Sequence, residues 1–384
     1  MLLFHLLLVG SLVVDAAVAA VVLFARRGRP IDPGRLVAAA LVVGLVAAVK
    51  LVLLGALGVG LFGMIHAVYL DAVVLLPLAG VAVLIAPRLG RRVTPAARVV
   101  AALALIPAPV GVYASFIEPY RLQLETATVE LPADRTGVRP LRVGVLADLQ
   151  TDHVGDYERR AVERLMAQRP DLVLVPGDLF QGTAEQFERE LPAFRALLAR
   201  LAEAPGGAWC CRGNVDVAPR FARAVAGTPA RLLVNEIAHV IVADRRVTLG
   251  GLDDGWVPSP AARRTIDALE ADPDPADIRI LIAHRPDAAL ALRPQTRIDL
   301  VVCGHTHGGQ VRLPLLGPPI TFTRLPRRLA AGGLHPLPGA PPGQPAAARR
   351  LYVSRGVGHE RAHAPPLRVN CPPEITLLTL ANAR

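Results

Sequence analysis

Six polar residues of metal-binding type follow short apolar runs in the C-terminal half of the chain. They are Asp148, Asp178, Asn214, His284, His305 and His307. Each lies at or just past the C-terminal end of a predicted buried strand, and open α/β sheets gather their ligands at that edge. Carboxylate, amide and imidazole ligands without thiolates suit manganese, iron or zinc. The sequence therefore predicts a site for divalent metal ions at this edge of the sheet.

The chemistry that such a set supports is hydrolysis at two metals. Two divalent ions about 3.5–4 Å apart can clamp a phosphate ester and hold a hydroxide between them for in-line attack. One carboxylate must bridge them, and Asp178 is the candidate because its Gly-Asp turn allows a close approach of backbone and metal. His305 and His307 can reach different metals only from a loop. That loop contains Gly304, Gly308 and Gly309.

The elements that position these residues alternate between strand and helix. Strands are predicted over Leu141–Ala147, Asp171–Val175, Gly207–Cys211, Arg231–Val234, Val240–Val242, Val247–Gly251, Ile278–Ala283 and Ile298–Cys303, and helices over Tyr157–Arg169 and Ala184–Ala204. This alternation predicts an α/β domain with a largely parallel central sheet, and the short hairpins in its middle indicate mixed sheets.

Seven motifs in order carry a resemblance. They are V-L-A-D-L-Q, P-G-D-L, R-G-N-V-D, A-H-R-P-D, G-H-T-H-G-G-Q, S-R-G-V-G and N-C-P-P-E-I-T-L-L-T-L. Over residues 141–380 the chain resembles the calcineurin-like metallophosphoesterase superfamily, in its membrane-attached bacterial branch. The resemblance implies a sandwich of two mixed sheets flanked by helices, and hydrolysis of phosphomonoesters or phosphodiesters by a metal-bridging hydroxide.

The resemblance also implies which residues hold each of two divalent metal ions. The first metal would be bound by Asp148, Asp178 and His307. The second would be bound by Asp178, Asn214, His284 and His305.

Two positions depart from the family pattern. Gln150 stands where the family usually has a histidine, so its oxygen ligates the first metal weakly, leaves the place to water, or yields it to His153. Val215 stands where the family has a proton-donating histidine. Either Asp216, His153 or His359 replaces that donor, or leaving groups depart unaided, so no catalytic residue is assigned. These departures keep an alternative open, a catalytically degenerate membrane protein that binds metal or ligand.

The N-terminal residues 1–116 predict a membrane anchor of four transmembrane helices. Apolar runs of about 20 residues span a hydrocarbon core, and four occur, over Leu2–Phe24, Leu36–Gly58, Ile65–Ala86 and Val99–Phe116. The first run lacks the basic start of a signal peptide and is too long for one. Residues 117–140 are then a linker or first strand, and residues 141–384 form the catalytic domain.

Arginine placement predicts the orientation. Two short segments between the runs hold Arg26, Arg27, Arg29 and Arg35, and then Arg88, Arg91, Arg92 and Arg98, whereas residues 59–64 carry no charge. Arginine-rich short loops stay cytoplasmic. The catalytic domain is therefore expected on the periplasmic or extracellular side of the cell (inner) membrane, where lipid-linked or envelope phosphates are candidate substrates.

The net charge of +10, from 42 basic and 32 acidic residues, invites a nucleic-acid interpretation. Basic residues interleaved with aromatic ones are absent from the sequence, so no nucleic-acid partner is expected. The partner is a phosphate-ester substrate, and the oligomeric state is not indicated. The four cysteines are too few for a disulfide framework, and adjacent Cys210 and Cys211 lie in an apolar stretch, which predicts buried free thiols.

Two further features leave alternatives open. Lys50 and Asp71 fall at similar depth in neighbouring predicted spans, which predicts either a structural ion pair or a polar floor for a lipid head group. The Pro- and Gly-rich segment Leu313–Arg350 is not expected to form a regular core element. It is either a loose surface loop or a contact with the outer leaflet that guides a lipid-linked substrate, through its leucines and Arg324, Arg327 and Arg328.

Overall fold

The structure is a computed structural model, and it describes residues 2–25, 28–131, 137–254, 259–271, 273, 278–337 and 349–382. Arg26 and Arg27 of the first arginine segment lie outside these residues. The chain divides into two compact units. The first comprises Met1–Ile117 and Glu360–Leu367, and the second comprises Glu118–His359 and Arg368–Arg384.

Apolar helices make up the first unit. They are α1 (Leu2–Phe24), α2 (Pro33–Ala56), α3 (Leu61–Leu70), α4 (Leu76–Ile85), α5 (Pro95–Leu103) and α6 (Pro107–Val112), with a π-helical turn over Asp71–Leu75. Within the described residues they give four helices long and apolar enough to cross a membrane, over Leu3–Phe24, Pro33–Ala56, Leu61–Leu89 and Pro95–Tyr120. The predicted four-helix architecture is confirmed, with different ends.

Side-chain caps and prolines explain where two of these helices begin. Asp32 precedes α2 and accepts a hydrogen bond from Arg35 N at 2.9 Å. Thr94 precedes α5 in the same way and accepts from Ala97 N. In both helices a proline follows the cap, where its missing N–H costs no helical hydrogen bond.

Lys50 forms its salt bridge with Asp15, and Asp71, the expected partner, interacts with it electrostatically. Lys50 Nζ forms a salt bridge with Asp15 Oδ2 and donates to Ser11 Oγ at 2.8 Å. Asp15 is fully buried and lies on α1, which packs along α2. The prediction compared the depth of Lys50 only with that of residues in the following span. The carboxylate that neutralises the Lys50 ammonium comes from the preceding helix, α1. A charge buried among apolar helices needs such a partner.

The second unit contains two mixed six-stranded sheets within the described residues. Their strands are β1 (Gln123–Leu131), β2 (Leu141–Val145), β3 (Leu172–Val175), β4 (Ala208–Cys210), β5 (Arg231–Leu232), β6 (Glu236–Val242), β7 (Arg245–Gly251), β8 (Ile278–Ile282), β9 (Leu300–Cys303), β10 (Gly333–Pro336), β11 (Arg350–Val353) and β12 (Glu374–Asn382). The orders are β1-β12-β2-β3-β4-β5 and β10-β11-β9-β8-β7-β6. In the first sheet β12 runs antiparallel to β2, and in the second β6 and β10 run antiparallel to their neighbours.

Apolar side chains of both sheets share one core, which makes the unit a sandwich. Val143, Leu174, Ile280 and Leu300 belong to the same buried cluster. Helices cover the outer faces, namely α7 (Asp156–Met166), α8 (Ala184–Leu201) and α9 (Ala218–Ala226) on the first sheet and α10 (Pro260–Ala271) on the second. The predicted α/β fold of two mixed sheets flanked by helices is confirmed, and so are four buried free cysteines.

The Pro-rich segment Leu313–Arg350 contains more regular structure than expected. A short helix, α11 (Arg327–Ala330), and strand β10 lie within it, and β10 pairs antiparallel with β11. Leu325 and Ala330 are buried. β10 is a partly exposed edge strand and not a core element, and at an edge glycine and a terminal proline cost no ladder hydrogen bond. Residues 338–348 lie outside the described part of the chain.

Candidate metal centre

The candidate ligands lie at strand ends, as predicted. Asp148 follows β2, Asp178 follows β3 and Asn214 follows β4, all in the first sheet. His284 follows β8, and His305 follows β9, in the second sheet. The loops after β2 and β3 run side by side, since Gln150 N donates to the Asp178 carbonyl at 2.8 Å.

Asp148, Asp178 and His284 form a buried group. Their ligand atoms lie within 4.8 Å of one another. His284 Nε2 is 3.2 Å from Asp178 Oδ2, and His284 Nδ1 is 3.8 Å from Asp148 Oδ1. Asp148 Oδ2 is buried and accepts no hydrogen bond from the described residues. A buried carboxylate oxygen that accepts no hydrogen bond is costly unless it is paired with a cation, so Asp148 Oδ2 is suited to binding a metal ion.

Asn214 and His305 join this group through His284. The Pro176 carbonyl lies 2.9 Å from His284 Nδ1 and accepts a proton held there, so once Nε2 is deprotonated its lone pair faces the centre. Asn214 Oδ1 lies 2.9 Å and His305 Nδ1 lies 3.2 Å from that Nε2 atom. Four potential ligand atoms therefore converge on one small volume, namely His284 Nε2, Asn214 Oδ1, His305 Nδ1 and Asp178 Oδ2.

His307 and Gln150 are buried at the same edge. His307 Nδ1 lies 3.5 Å from Arg368 Nη2, and Asp178 is close enough to raise the pKa of the ring against a stronger lowering by burial and Arg368. Gln150 Nε2 donates to Gln181 Oε1 at 2.8 Å. Its carbonyl oxygen is the atom suited to a metal.

Protonation balances the buried charges of the group. Burial raises the pKa of Asp148 to about 7, against the lowering effect of His284. Burial would also raise the pKa of Asp178, but the charge and hydrogen bond of His284 hold it below its usual value. In turn, burial lowers the pKa of His284, and the two carboxylates overcome this and raise it to about 9. A divalent cation would satisfy the same carboxylates, so protons and metal compete for this centre.

The backbone at these positions is strained. Asp148, Gln150, Asp178, His305 and His307 have φ values of 46°, 38°, 53°, 72° and 47°. Residues other than glycine rarely adopt such values, and they cluster where a site imposes them. Hydrogen bonds between neighbouring loops maintain the strain at Asp148, whose carbonyl accepts from Gly358 N at 2.7 Å.

Two glycines next to ligand positions allow the close approach of the carboxylates. A Cβ atom at Gly213 would lie 2.1 Å from Asp178 Oδ1, and one at Gly304 would lie 2.5 Å from Asp148 Oδ2. The glycines of R-G-N and G-H-T-H are therefore required by packing around the two aspartates.

Asp216 has a structural role that the sequence did not indicate. Its carboxylate is buried and accepts hydrogen bonds from the amides of Asp178 at 2.7 Å, Leu179 at 3.0 Å, Phe180 at 3.3 Å and Gly213 at 3.0 Å. The alternative that Asp216 replaces the missing proton donor is not supported, because both oxygens are engaged by backbone donors. The residue instead joins the loops after β3 and β4.

His153 lies away from the buried ligands, whereas His359 is buried and directly follows Gly358, which donates to the Asp148 carbonyl, so it stays a candidate proton donor. His153 Nδ1 is 3.1 Å from Glu190 Oε2 and its side chain is 69% exposed, so it does not take the place of buried Gln150. Arg355 Nε pairs with Glu374 Oε2 at 2.7 Å, and buried Arg368 donates to the carbonyls of Arg355 at 2.7 Å and Cys371 at 3.0 Å. These two arginines brace the loops that surround the ligands.

Arg285 was missed by sequence reasoning. Its Nη1 atom lies 3.0 Å from His305 Nε2, and Asp254 Oδ1 accepts from its Nε at 2.8 Å. The Phe322 carbonyl also lies 3.2 Å from His305 Nε2, so Nδ1 of that ring faces the centre. The position of Arg285 directly after His284 was a signal that could have identified it.

Comparison with known proteins decides the family. The chain is 30% identical over 256 residues to the phosphodiesterase YaeI of Escherichia coli K12, an alignment that covers 63% of this chain and 82% of that protein. The family model for the calcineurin-like phosphoesterase matches residues 141–309. The chain belongs to the calcineurin-like phosphoesterase family.

Two other members of the calcineurin-like phosphoesterase family show similar coverage. The uncharacterized metallophosphoesterase YkuE of Bacillus subtilis is 27% identical over 70% of this chain and 88% of its own. The UDP-2,3-diacylglucosamine pyrophosphatase LpxG of Chlamydia trachomatis is 24% identical over 71% of this chain and 94% of its own. Membership makes the chain a phosphate ester hydrolase of a family that uses a dinuclear metal centre, and the Asp-Asp-His group fits such a centre.

Gln150→His tests whether position 150 contacts a metal. An imidazole is a stronger ligand than an amide for borderline metals. The variant should therefore reach half-maximal activity at about a tenfold lower Zn²⁺ concentration, equivalent to about 1.4 kcal/mol. The matched control is His153→Gln, for which Zn²⁺ dependence should stay unchanged. If Gln150→His leaves the Zn²⁺ dependence unaltered, position 150 does not ligate.

Proposed function

We propose that the second unit hydrolyses phosphate monoesters or diesters at two divalent metal ions held by the predicted ligands. The observation that carries the proposal is the convergence of Asp178 Oδ2, Asn214 Oδ1 and His305 Nδ1 on His284 Nε2, at 3.2, 2.9 and 3.2 Å. Atoms with lone pairs or negative charge repel one another in a buried space unless a proton or a metal cation lies between them, and the oxygen and nitrogen atoms gathered here suit a metal cation.

The ligands divide into two overlapping sets. Asp148, Asp178 and His307, with Gln150, would hold the first metal, and Asp178, Asn214, His284 and His305 would hold the second. When bound, two cations such as manganese, iron or zinc neutralise the phosphate ester and lower the pKa of water. The donor set supports this, because it contains oxygen and nitrogen and no thiolate.

The residues of this chain position the ligands. Val215 N donates to Asp178 Oδ1 at 3.0 Å, which turns Oδ2 toward His284. The Pro176 carbonyl orients the His284 ring, and Arg285 adds a positive charge beside His305. Val215 has no proton to give to a leaving group. Unless His359 supplies that proton, the substrates are those whose leaving groups depart as stable anions.

Hydrolysis of chromogenic esters tests the proposal. The purified full chain, loaded with Mn²⁺ or Zn²⁺, should hydrolyse p-nitrophenyl phosphate or bis-p-nitrophenyl phosphate, and a chelator should abolish the reaction reversibly. Metal-loaded, folded protein that hydrolyses neither ester would support the degenerate metal-binding alternative, which Gln150 and Val215 favour.

We infer that the substrate is a lipid-linked or other envelope phosphate outside the cell membrane. The support is the presence of four apolar helices and of arginines between the first and second spans and between the third and fourth. One relative is named a pyrophosphatase of UDP-2,3-diacylglucosamine, which carries acyl chains beside its phosphates. A site on a membrane-attached chain suits such a molecule.

Reporter fusions test the orientation. Because arginine-rich short loops stay cytoplasmic, alkaline phosphatase fused to the C-terminus should be active, and a fluorescent protein fused there and exported through the secretory route should be dark. Fusions after residue 90 should give the opposite result. An inactive phosphatase and a fluorescent protein at the C-terminus would contradict an external site.

A further inference from the structure

An exposed apolar loop follows the histidine motif. This loop, Leu313–Phe322, presents Leu315 at 107% and Leu316 at 75% exposure, with Ile320 at 48%. Leu313 and Phe322 are also exposed. Isolated exposed leucines are common on protein surfaces, but five large apolar side chains within ten residues form a patch that indicates a ligand or lipid contact.

The backbone holds these side chains outward. Leu313 and Gly317 pair across a tight antiparallel bridge, with N–H to carbonyl distances of 3.0 and 2.9 Å. Leu315 lies between them at φ 66°, a conformation that is strained for leucine. Strain of this kind persists only where the surrounding structure imposes it, and it concentrates at functional sites. The leucines are thus presented by a defined turn.

Both ends of the loop are bonded to the metal-binding motifs. At its start, Arg312 Nε donates to the Gly308 carbonyl at 3.2 Å. At its end, the Phe322 carbonyl lies 3.2 Å from His305 Nε2, and the next residue, Thr323, donates to Asp287 Oδ2 at 2.5 Å. The loop is therefore attached at both ends to the segments that carry the candidate ligands, and its Phe322 end lies beside His305.

The charge around the loop complements an anion that carries a hydrocarbon chain. Residues 311–331 contain four arginines and no acidic residue, and Arg324, Arg327 and Arg328 are exposed. Cationic side chains next to exposed leucines suit amphipathic anions, because the charge attracts the phosphate while the leucines cover the chain.

We propose that Leu313–Phe322 is the binding site for the hydrocarbon chain of an amphipathic phosphate ester, a role that rests on the proposed function. The adjacent metal centre takes the phosphate, and Leu315 and Leu316 bury the chain. The loop thereby selects substrates with long chains over small phosphate esters.

A chain-length series tests the proposal with the full protein in detergent micelles. The probes are p-nitrophenyl phosphodiesters with ethyl, hexyl and dodecyl groups. A buried methylene contributes about 0.8 kcal/mol, or about fourfold in kcat/KM, so the wild-type value should rise with chain length. Leu315→Ser/Leu316→Ser should lower kcat/KM for the dodecyl ester by at least about tenfold and leave the ethyl ester within about twofold.

The matched control is Ile241→Ser, which removes a 76% exposed apolar side chain from β6. It should retain the wild-type chain-length dependence, because partition of the probes into micelles is the same for all variants. The single variant Leu316→Ser repeats the test with a smaller change. An equal loss of kcat/KM for the ethyl and dodecyl esters, or no loss for either, would overturn the proposal. The proposal would also be overturned if Leu315 and Leu316 insert into the bilayer and contact no substrate. Failure of the wild type to hydrolyse the ethyl ester would instead contradict the proposed function.

Discussion

Asp178→Asn should reduce bound metal from about two ions to one or fewer and lower hydrolysis by several orders of magnitude. Asp178 Oδ2 lies 3.2 Å from His284 Nε2, within the group that includes Asp148. A carboxylate shared by two cations neutralises their mutual repulsion, and an amide removes that charge. Metal analysis and turnover of bis-p-nitrophenyl phosphate measure the two effects.

The matched control is Asp171→Asn, at the opposite end of the same strand. Asp171 is buried too, but its oxygens accept from Arg139 at 2.6 and 2.8 Å. This variant should lose stability and keep its bound metal. Circular dichroism should show that both variants are folded. A folded Asp178→Asn protein with two metals and near-normal turnover would show that Asp178 is not a bridging ligand.

Asp216→Asn should lower the free energy of unfolding by about 3 kcal/mol and weaken metal binding. Each carboxylate oxygen of Asp216 accepts two backbone N–H groups, from Asp178 and Gly213 on one side and from Leu179 and Phe180 on the other. In the asparagine variant, the amide NH₂ would replace one of these two oxygens. The two backbone N–H groups that this oxygen accepts from would then lack an acceptor. Denaturant unfolding of metal-free protein measures the loss.

Leaving-group dependence separates this structural role from proton donation. If Asp216 only joins the loops, Asp216→Asn should slow p-nitrophenyl and alkyl esters to the same extent. A proton donor would matter mainly for the alkyl esters, whose leaving groups are poor. A stable Asp216→Asn variant that loses activity on alkyl esters alone would contradict the structural assignment.

The sequence predicted the strand ends and the ligand candidates because both depend on local patterns. Buried β-branched runs mark the strands, and Asp148, Asp178 and His284 follow them directly, so their convergence needs only the rule that ligands gather at one edge of an α/β sheet. Contacts between residues that are distant in sequence were harder to predict from local patterns. The hydrogen bonds of Asp216 to the loop after β3 arise from packing, and the sequence shows only an aspartate near Asn214.

The same limit explains two features that the sequence did not predict. Lys50 was paired with Asp71 by comparing depth along adjacent helices, but its salt bridge with Asp15 depends on which helix faces the ammonium. The Pro-rich segment was expected to form no regular core element because proline and glycine disfavour one locally. Its edge pairing with β11 is a tertiary effect that local preference does not indicate.

Titration of the metal-free full chain with Mn²⁺ tests the central claim most directly. Bound metal, measured by elemental analysis, and hydrolysis of bis-p-nitrophenyl phosphate are followed together. Because both ions must clamp the ester, activity should stay low through the first equivalent and rise as the second binds. In Asp178→Asn the second equivalent should neither bind nor restore activity. Full activity at one equivalent, or without metal, would contradict a dinuclear centre at Asp148, Asp178, Asn214 and the three histidines.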